Sequence, residues 1–210
     1  MVIGVDVVAE GFVASLASPG GNVTGLTWGF DAGQIGKRIE LLKEAVPHVS
    51  RIAALWDPGQ DAASARSALE RGAAAVGVQL IVLAFRDDLE GLFAAAVGEG
   101  AQALITAGGS RIFRRRKDVV ALAAKHQLAD VHYTSEFVEA GGLMSYAPNL
   151  RGNYRRAAAY VDKILKGASP ADLPVEQPTR LEVVINLAAA RQRGVKLPQS
   201  ILLRADRVIE

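Results

Sequence analysis

The chain has 210 residues, long for one domain and short for two complete ones if about 100–200 residues make a domain. Half of its residues are hydrophobic, 22% are charged and 21 are glycine, which excludes a disordered tail, a collagen-like repeat and a disulfide-stapled miniprotein. Its 24 basic and 22 acidic side chains leave a net charge of +2, too weak a field to demand nucleic acid, and zero cysteines exclude a thiolate metal site and a cysteine nucleophile.

Read by period, the chain alternates short β-branched runs with longer amphipathic ones, the order of an α/β fold with a mostly parallel sheet. Val2 to Val5 reads as a strand, Glu10 to Leu16 as a short helix, and Val23 to Trp28 as a small strand after the turn cluster at Ser18 to Asn22. Gln34 to Val46 places Ile35, Ile39, Leu42 and Val46 on one helical face, and Pro47 stops it. From Arg51 the pattern is regular. Strands are expected at Ile52 to Trp56, Leu80 to Phe85, Ala103 to Thr106 and Val131 to Tyr133. Between them lie a helix capped by Asp61 with Leu69 and Ala73 in its buried stripe, a helix marked by Leu89, Leu92, Phe93 and Ala96, and a helix from about Ile112 to Lys125. Four successive βα units make a doubly wound domain. The remainder reads as a strand at Leu143 to Tyr146 and a long helix presenting Leu150, Tyr154, Ala157, Val161, Ile164 and Leu165 on one face. A polar connector from Ala168 to Thr179 follows, then a strand at Leu181 to Ile185 and a short helix from Leu187 to Arg193.

Chemical motifs are sparse. No GxGxxG follows a strand, and Gly33 to Lys37 fails the phosphate-loop spacing, with Asp31 in place of the first glycine and Arg38 in place of the serine or threonine after the lysine. His48, His126 and His132 are scattered without metal-ligand spacing, and no cofactor is expected. The basic stretch from Arg111 to Lys117 points round a whole helix circumference and reads as a solvated helix start. Gly108-Gly109-Ser110 joins a strand to a helix and is either an anion-accepting turn or a tight turn with a serine cap. No GxSxG elbow occurs, so no catalytic residue is assigned. Polar and aromatic residues do gather at the carboxyl ends of successive strands: Asp6, Trp56-Asp57, Ser110, Tyr133 to Glu136, and Ser145-Tyr146. That is where ligands bind in open α/β sheets, and the mixture favours binding over chemistry.

Whole phrases carry a resemblance. VASLASPGGNVTGLTW, GKRIELLKEAVPHVSRIAALWDP, SEFVEAGGLMSYAPNL, RRAAAYVDKILKGASPADLPVEQPT and INLAAARQRGVKLPQSILLRADRVIE are similar to the substrate-binding proteins of bacterial ABC importers, in the branch resembling tryptophan and aromatic amino-acid binders. The resemblance runs from Asp6 to Glu210 and implies a type I periplasmic-binding-protein fold. Members begin with an export signal and further βα units before the strand matching Val2 to Val5. The expectation is therefore one complete doubly wound lobe over residues 51–146 and a partial proximal lobe over 1–50. A return crossing with the C-terminal part of that proximal lobe spans 147–210. Crossings near Pro47, Tyr146 and Pro174 make the hinge.

The resemblance further implies a solute between the lobes, with Asp57, Gly109, Ser110, Ser135 and Glu136 forming the distal wall, Tyr133 or Tyr146 stacking on a planar solute, and Asp6 contributing from the proximal lobe. The partners implied are a small organic, amino-acid-like solute and a membrane permease, with no nucleic acid, and a homodimer is expected through the partial lobe. The location implied is the periplasm. MVIGVDVVAEG itself has no basic region before its apolar residues and no cleavage site, so it does not read as a signal peptide, and by itself gives the expectation of a chain that stays in the cytoplasm. Two rival readings stand beside the solute receptor. One is a hydrolase or transferase using Asp57 and Glu136 at the strand ends; the other is an effector-sensing module of a regulator, which needs a helix-turn-helix segment that this sequence lacks.

Overall fold

The computed structural model describes residues 7–8, 11–27, 32–58, 62–178 and 180–210, which fall into two units. The strands expected at Val2 to Val5 and the cap at Asp61 lie outside the described residues, as do Asp6 and Trp28.

The larger unit comprises residues 32–147 and 182–210. In chain order it holds α1 (Ala32–Ala45), β1 (Arg51–Trp56), α2 (Ala62–Ala75), β2 (Gln79–Ala84), α3 (Leu89–Gly98), β3 (Ala103–Thr106), α4 (Ser110–Arg114), α5 (Arg116–Lys125), β4 (Ala129–His132), α6 (Ser135–Glu139) and β5 (Met144–Pro148). The chain leaves this unit for α7 (Leu150–Leu165), described below. It returns with β6 (Leu181–Asn186), α8 (Leu187–Gln192), α9 (Gln199–Leu203) and β7 (Arg207–Ile209). The strands form one sheet in the order β2-β1-β3-β4-β5-β6-β7, and the pairings β1–β2, β1–β3, β3–β4, β4–β5 and β6–β7 are all parallel.

Alternate strand residues feed two cores, as a sheet covered on both faces requires. Ile52 and Ala54 of β1 pack with Ile35, Ile39 and Leu42 of α1 and Leu69 and Ala73 of α2. Ala53 and Leu55 pack on the opposite side with Leu92 and Phe93 of α3, Val119 and Ala123 of α5, and Phe137 of α6. The boundary expected at residue 50 is therefore displaced. α1 belongs with the large sheet because its stripe completes the first core, and the last 29 residues extend that sheet through β6 and β7, burying Ile185, Ala190 and Ile201 in the same cluster. The helix expected from Ile112 to Lys125 is two helices, α4 and α5, meeting at Arg115.

The smaller unit comprises the described residues of 1–31 together with 148–181. The expected helix from Glu10 to Leu16 is absent among its described residues, where 11–18 run as turns and bends. Of the strand expected at Val23 to Trp28, the described residues show Leu26 in a parallel bridge to Glu176. α7 begins at Asn149, whose side chain accepts the Gly152 amide. It buries Asn153, Ala157 and Tyr160, a stripe of 4 and 3 spacing, rather than the face expected from its leucines, and Leu165 stays 82% exposed. The reason is Tyr160: its hydroxyl donates to Pro174 O at 2.7 Å, turning that face toward the 173–176 connector.

One polar network lies wholly inside the larger unit. Leu55, Thr106, His132 and Ser145 stand in one row across β1, β3, β4 and β5. The Thr106 hydroxyl lies 3.2 Å from His132 Nδ1, and His132 Nε2–H donates to Asp130 Oδ2 at 2.8 Å. Asp130 Oδ1 accepts the Leu143 amide and lies 3.0 Å from Arg193 Nε, while Arg193 also donates to the carbonyls of Leu128, Ala189 and Gly141. The His132 ring is stacked on Phe137 at 4.5 Å, and a Cβ on Gly142 would meet the ring at 2.8 Å, so residue 142 must be glycine for the ring to fit. Removing one partner of such a buried pair strands the other without water. Asp130→Ala is expected to lower unfolding stability by about 3–5 kcal/mol, read by urea unfolding; a loss under about 1 kcal/mol would mean that the Arg193 charge is compensated elsewhere.

Candidate functional site

A second group of polar side chains in the larger unit gathers at the carboxyl ends of the strands. Asp57 follows β1 and is 5% exposed. Arg111, in the first turn of α4, reaches it with Nη1 3.4 Å from Oδ1, and the Arg111 guanidinium lies 4.7 Å from the centre of the Phe85 ring, just beyond β2. Between β3 and α4, Gly108 and Gly109 have φ of 110° and 108°, in the region that favours glycine. A Cβ on Gly109 would come within 2.4 Å of Asp57 Cβ, so this turn is shaped by the close approach of the Asp57 side chain. Gly109 is the residue preceding α4, and no side chain caps that helix; Ser110 is its exposed first residue, so the serine cap is not formed.

Tyr133 ties this turn to the next one. Its hydroxyl donates to Gly109 O at 2.7 Å, and its ring lies 5.3 Å from Phe137 in the α3/α5-side core. At 8% exposed, the ring is a structural strut and not a surface open for stacking, which corrects the role expected for it. Burial pushes the phenol upward from its ordinary value, with the charges of Asp57 and Glu136 acting the same way and Arg38 opposing them. Asp57, Glu136 and Arg38 thus all act electrostatically on one hydroxyl.

Beyond Tyr133, Thr134 precedes α6, and Ser135 and Glu136 are its half-buried first residues. Thr134 Oγ1 and Glu136 Oε2 are buried without a hydrogen-bond partner, and so is Trp56 Nε1 at the end of β1. Ser145 Oγ is also unpartnered, one strand across from His132. Buried polar atoms are normally satisfied, and four of the five unpartnered ones among the described residues lie at or near this sheet end, the fifth being Asn153 Nδ2 of α7. Tyr146, half-buried, packs with Trp56 against the α1-side core, where the small Ala107 also lies. Of the residues expected at the site, Gly109 touches both Asp57 and Tyr133, and the charge of Glu136 acts on the Tyr133 hydroxyl. Ser110, Ser135 and Tyr146 stand at the same sheet end, and Asp6 lies outside the described residues.

Two cations at this edge escape a reading of the sequence. Arg111 is hidden in its basic stretch. Arg38 carries a clear signal, because Ile35, Arg38, Ile39 and Leu42 are spaced as one buried helical stripe and one of the four is charged.

The model of the ABC transporter substrate binding protein family matches residues 1–209. The chain belongs to this family. Its role is solute binding, and members of this ABC transporter family are binding proteins rather than enzymes, with a small-molecule ligand and a transporter permease as partners. They are normally periplasmic or extracellular. Among solved structures, a conserved domain protein from Vibrio cholerae is 27% identical over 97% of this chain and 68% of its own, with a TM-score of 0.85. The ABC domain from Streptococcus pneumonia, solved in complex with L-tryptophan, is 25% identical over 98% of this chain and 69% of its own, with a TM-score of 0.84. A ligand-free, open substrate-binding protein from Clostridium difficile shares the fold at 22% identity, covering 100% of this chain and 70% of its own, with a TM-score of 0.70. These are type I periplasmic-binding-protein folds. No curated protein matches the chain.

Two measurements check the geometry of this substrate-binding protein. Gly109→Ala is expected to lower stability by about 1–3 kcal/mol, through its left-handed backbone and the Asp57 contact; a neutral result in urea unfolding would contradict the contact. Tyr133 is expected to remain protonated as pH passes 10, so that Tyr133→Phe leaves the tyrosinate absorbance rise around that pH unchanged. With its folded pKa raised, its contribution to stability is complete below pH 10 and falls away as pH climbs further.

Proposed function

We propose that this chain receives a small amino-acid-like solute at the carboxyl edge of the larger unit's sheet and presents it to an ABC permease outside the cytoplasmic membrane. The observation that carries the reading is the set of buried, unpartnered polar atoms at that edge: an indole N–H on Trp56, a hydroxyl on Thr134 and a carboxylate oxygen on Glu136. Donor and acceptor stand together in a way that suits a solute with both, and a lone carboxylate oxygen is best satisfied by an ammonium group. Trp56 and Tyr146, partly buried on one face beside the small Ala107, suit an apolar or flat side chain. The Streptococcus pneumonia structure, with L-tryptophan bound, supports the same class of solute.

In this reading Asp57, Gly109, Ser110, Ser135, Glu136 and Tyr146 contact the solute, and Tyr133 positions the Gly109 turn. Binding, not turnover, is the activity, and closure around the solute follows from its higher affinity for the closed state. Titration calorimetry with the twenty amino acids is expected to find at least one binder, aromatic members first, and Glu136→Gln to weaken it by about tenfold or more, as for loss of a charged hydrogen bond. A folded chain that takes up none of them would sink the amino-acid assignment.

A further inference from the structure

The α1-side face of the large sheet holds a cation that no carboxylate among the described residues neutralises. Arg38 is 2% exposed, and α1 carries its guanidinium to the end of β3. There Nη1 donates to Thr106 O at 2.9 Å and Nε to Gln34 O at 3.2 Å. Both acceptors are neutral backbone carbonyls, and among the described residues no carboxylate forms an ion pair with Arg38. The contrast with Arg193 is direct: that guanidinium, equally buried, lies against Asp130 at 3.0 Å. Desolvation pulls the Arg38 pKa down to about 10, so the group remains charged at neutral pH and bears the penalty of burial. A guanidinium offers five N–H donors in a planar fork, and two of them are engaged here. Leucine or methionine would fill this stripe position without burying a charge, so packing alone does not explain an arginine.

We propose that Arg38 binds the solute's carboxylate, its free N–H groups closing on that anion at the carboxyl end of β3 beside Tyr133. The proposal rests on the solute reading above and assigns the end of the solute opposite to the one Glu136 would hold. The charges around the site choose among anions. Asp57 and Glu136 bring negative charge to the same sheet end, so a dianion such as phosphate is disfavoured there, whereas a planar monoanion that carries its own ammonium suits a guanidinium in company with carboxylates.

The test compares L-tryptophan with L-tryptophanamide, which keeps the ring and the ammonium and lacks the carboxylate, on the full chain and on Arg38→Met, Arg38→Gln and Arg38→Lys. The wild type is expected to prefer the acid by about 30-fold, the scale of one charge-assisted contact. Arg38→Met and Arg38→Gln are expected to abolish that preference by weakening the acid alone, with Arg38→Lys restoring part of it. An acid preference that survives in any folded Met or Gln variant, or a wild type that does not distinguish acid from amide, overturns the proposal. Should Arg38→Met fail to fold, Arg38→Lys and Arg38→Gln carry the comparison. If the wild type takes neither tryptophan compound, the aromatic solute reading fails separately, and acetate against chloride at equal ionic strength decides the present proposal. A melting-temperature rise with acetate that disappears in the folded Arg38 variants supports it, and no rise at high millimolar acetate overturns it.

Discussion

A parallel sheet covered by helices on both faces leaves a polar side chain two stable situations: pairing inside the protein, or standing at the ends of the strands where a ligand can reach it. The larger unit uses both. Asp130, His132, Thr106 and Arg193 take the first course, linking β3, β4 and the residue after α8 in a network whose charges and hydrogen-bonding groups meet one another. Trp56, Thr134, Glu136 and Arg38 stand at the strand ends, and among the described residues their hydrogen-bonding capacity is left partly open; we read this as the second course. The same physical penalty acts on both groups. What separates them is whether the fold supplies the partner.

The scaffold of the open site is stiff where it must hold position. Gly109 lies against Asp57 and is pinned from the other side by the Tyr133 hydroxyl, so the turns after β3 and β4 are joined. Tyr133 in turn leans on Phe137, which stacks on His132 and thereby on the internal network. The buried network and this sheet edge are therefore joined by a short chain of direct contacts. Arg111 completes the arrangement by partly neutralising Asp57 while resting on Phe85, which leaves Glu136 as the carboxylate with an unpartnered buried oxygen.

Much of this was legible in the sequence. The βα alternation from Arg51 to Tyr146 appears as read, apart from the break at Arg115 and the short α6, because each strand is a short apolar run and the longer helices carry apolar stripes. The strand-end residues Asp57, Ser110, Ser135 and Glu136 follow from that alternation alone. What was not legible depended on distant partners. The sequence offers Tyr133 or Tyr146 for stacking and does not choose between them, because the acceptor that ties down the Tyr133 hydroxyl, Gly109 O, lies 24 residues away in sequence. α7 was assigned the wrong face because leucine spacing outweighed Asn153 and Tyr160, whose burial comes from the 173–176 connector. The unit boundary was misplaced because α1 precedes a proline yet packs on β1 and α2. Arg38 is hard to find for a different reason: its position in an apolar stripe is visible, but a charge inside such a stripe gains meaning only when no carboxylate among the described residues is seen to pair with it.

The central claim is that the carboxyl edge of the large sheet is where the solute sits, and amide chemical-shift mapping of the labelled chain during titration with a bound amino acid tests it most directly. The account predicts that the largest shifts fall on residues 57, 109–111, 134–136 and 146, with α3, α5 and the Asp130 network little changed. Shifts centred on the α3/α5 surface, with that strand-end group silent, would contradict it.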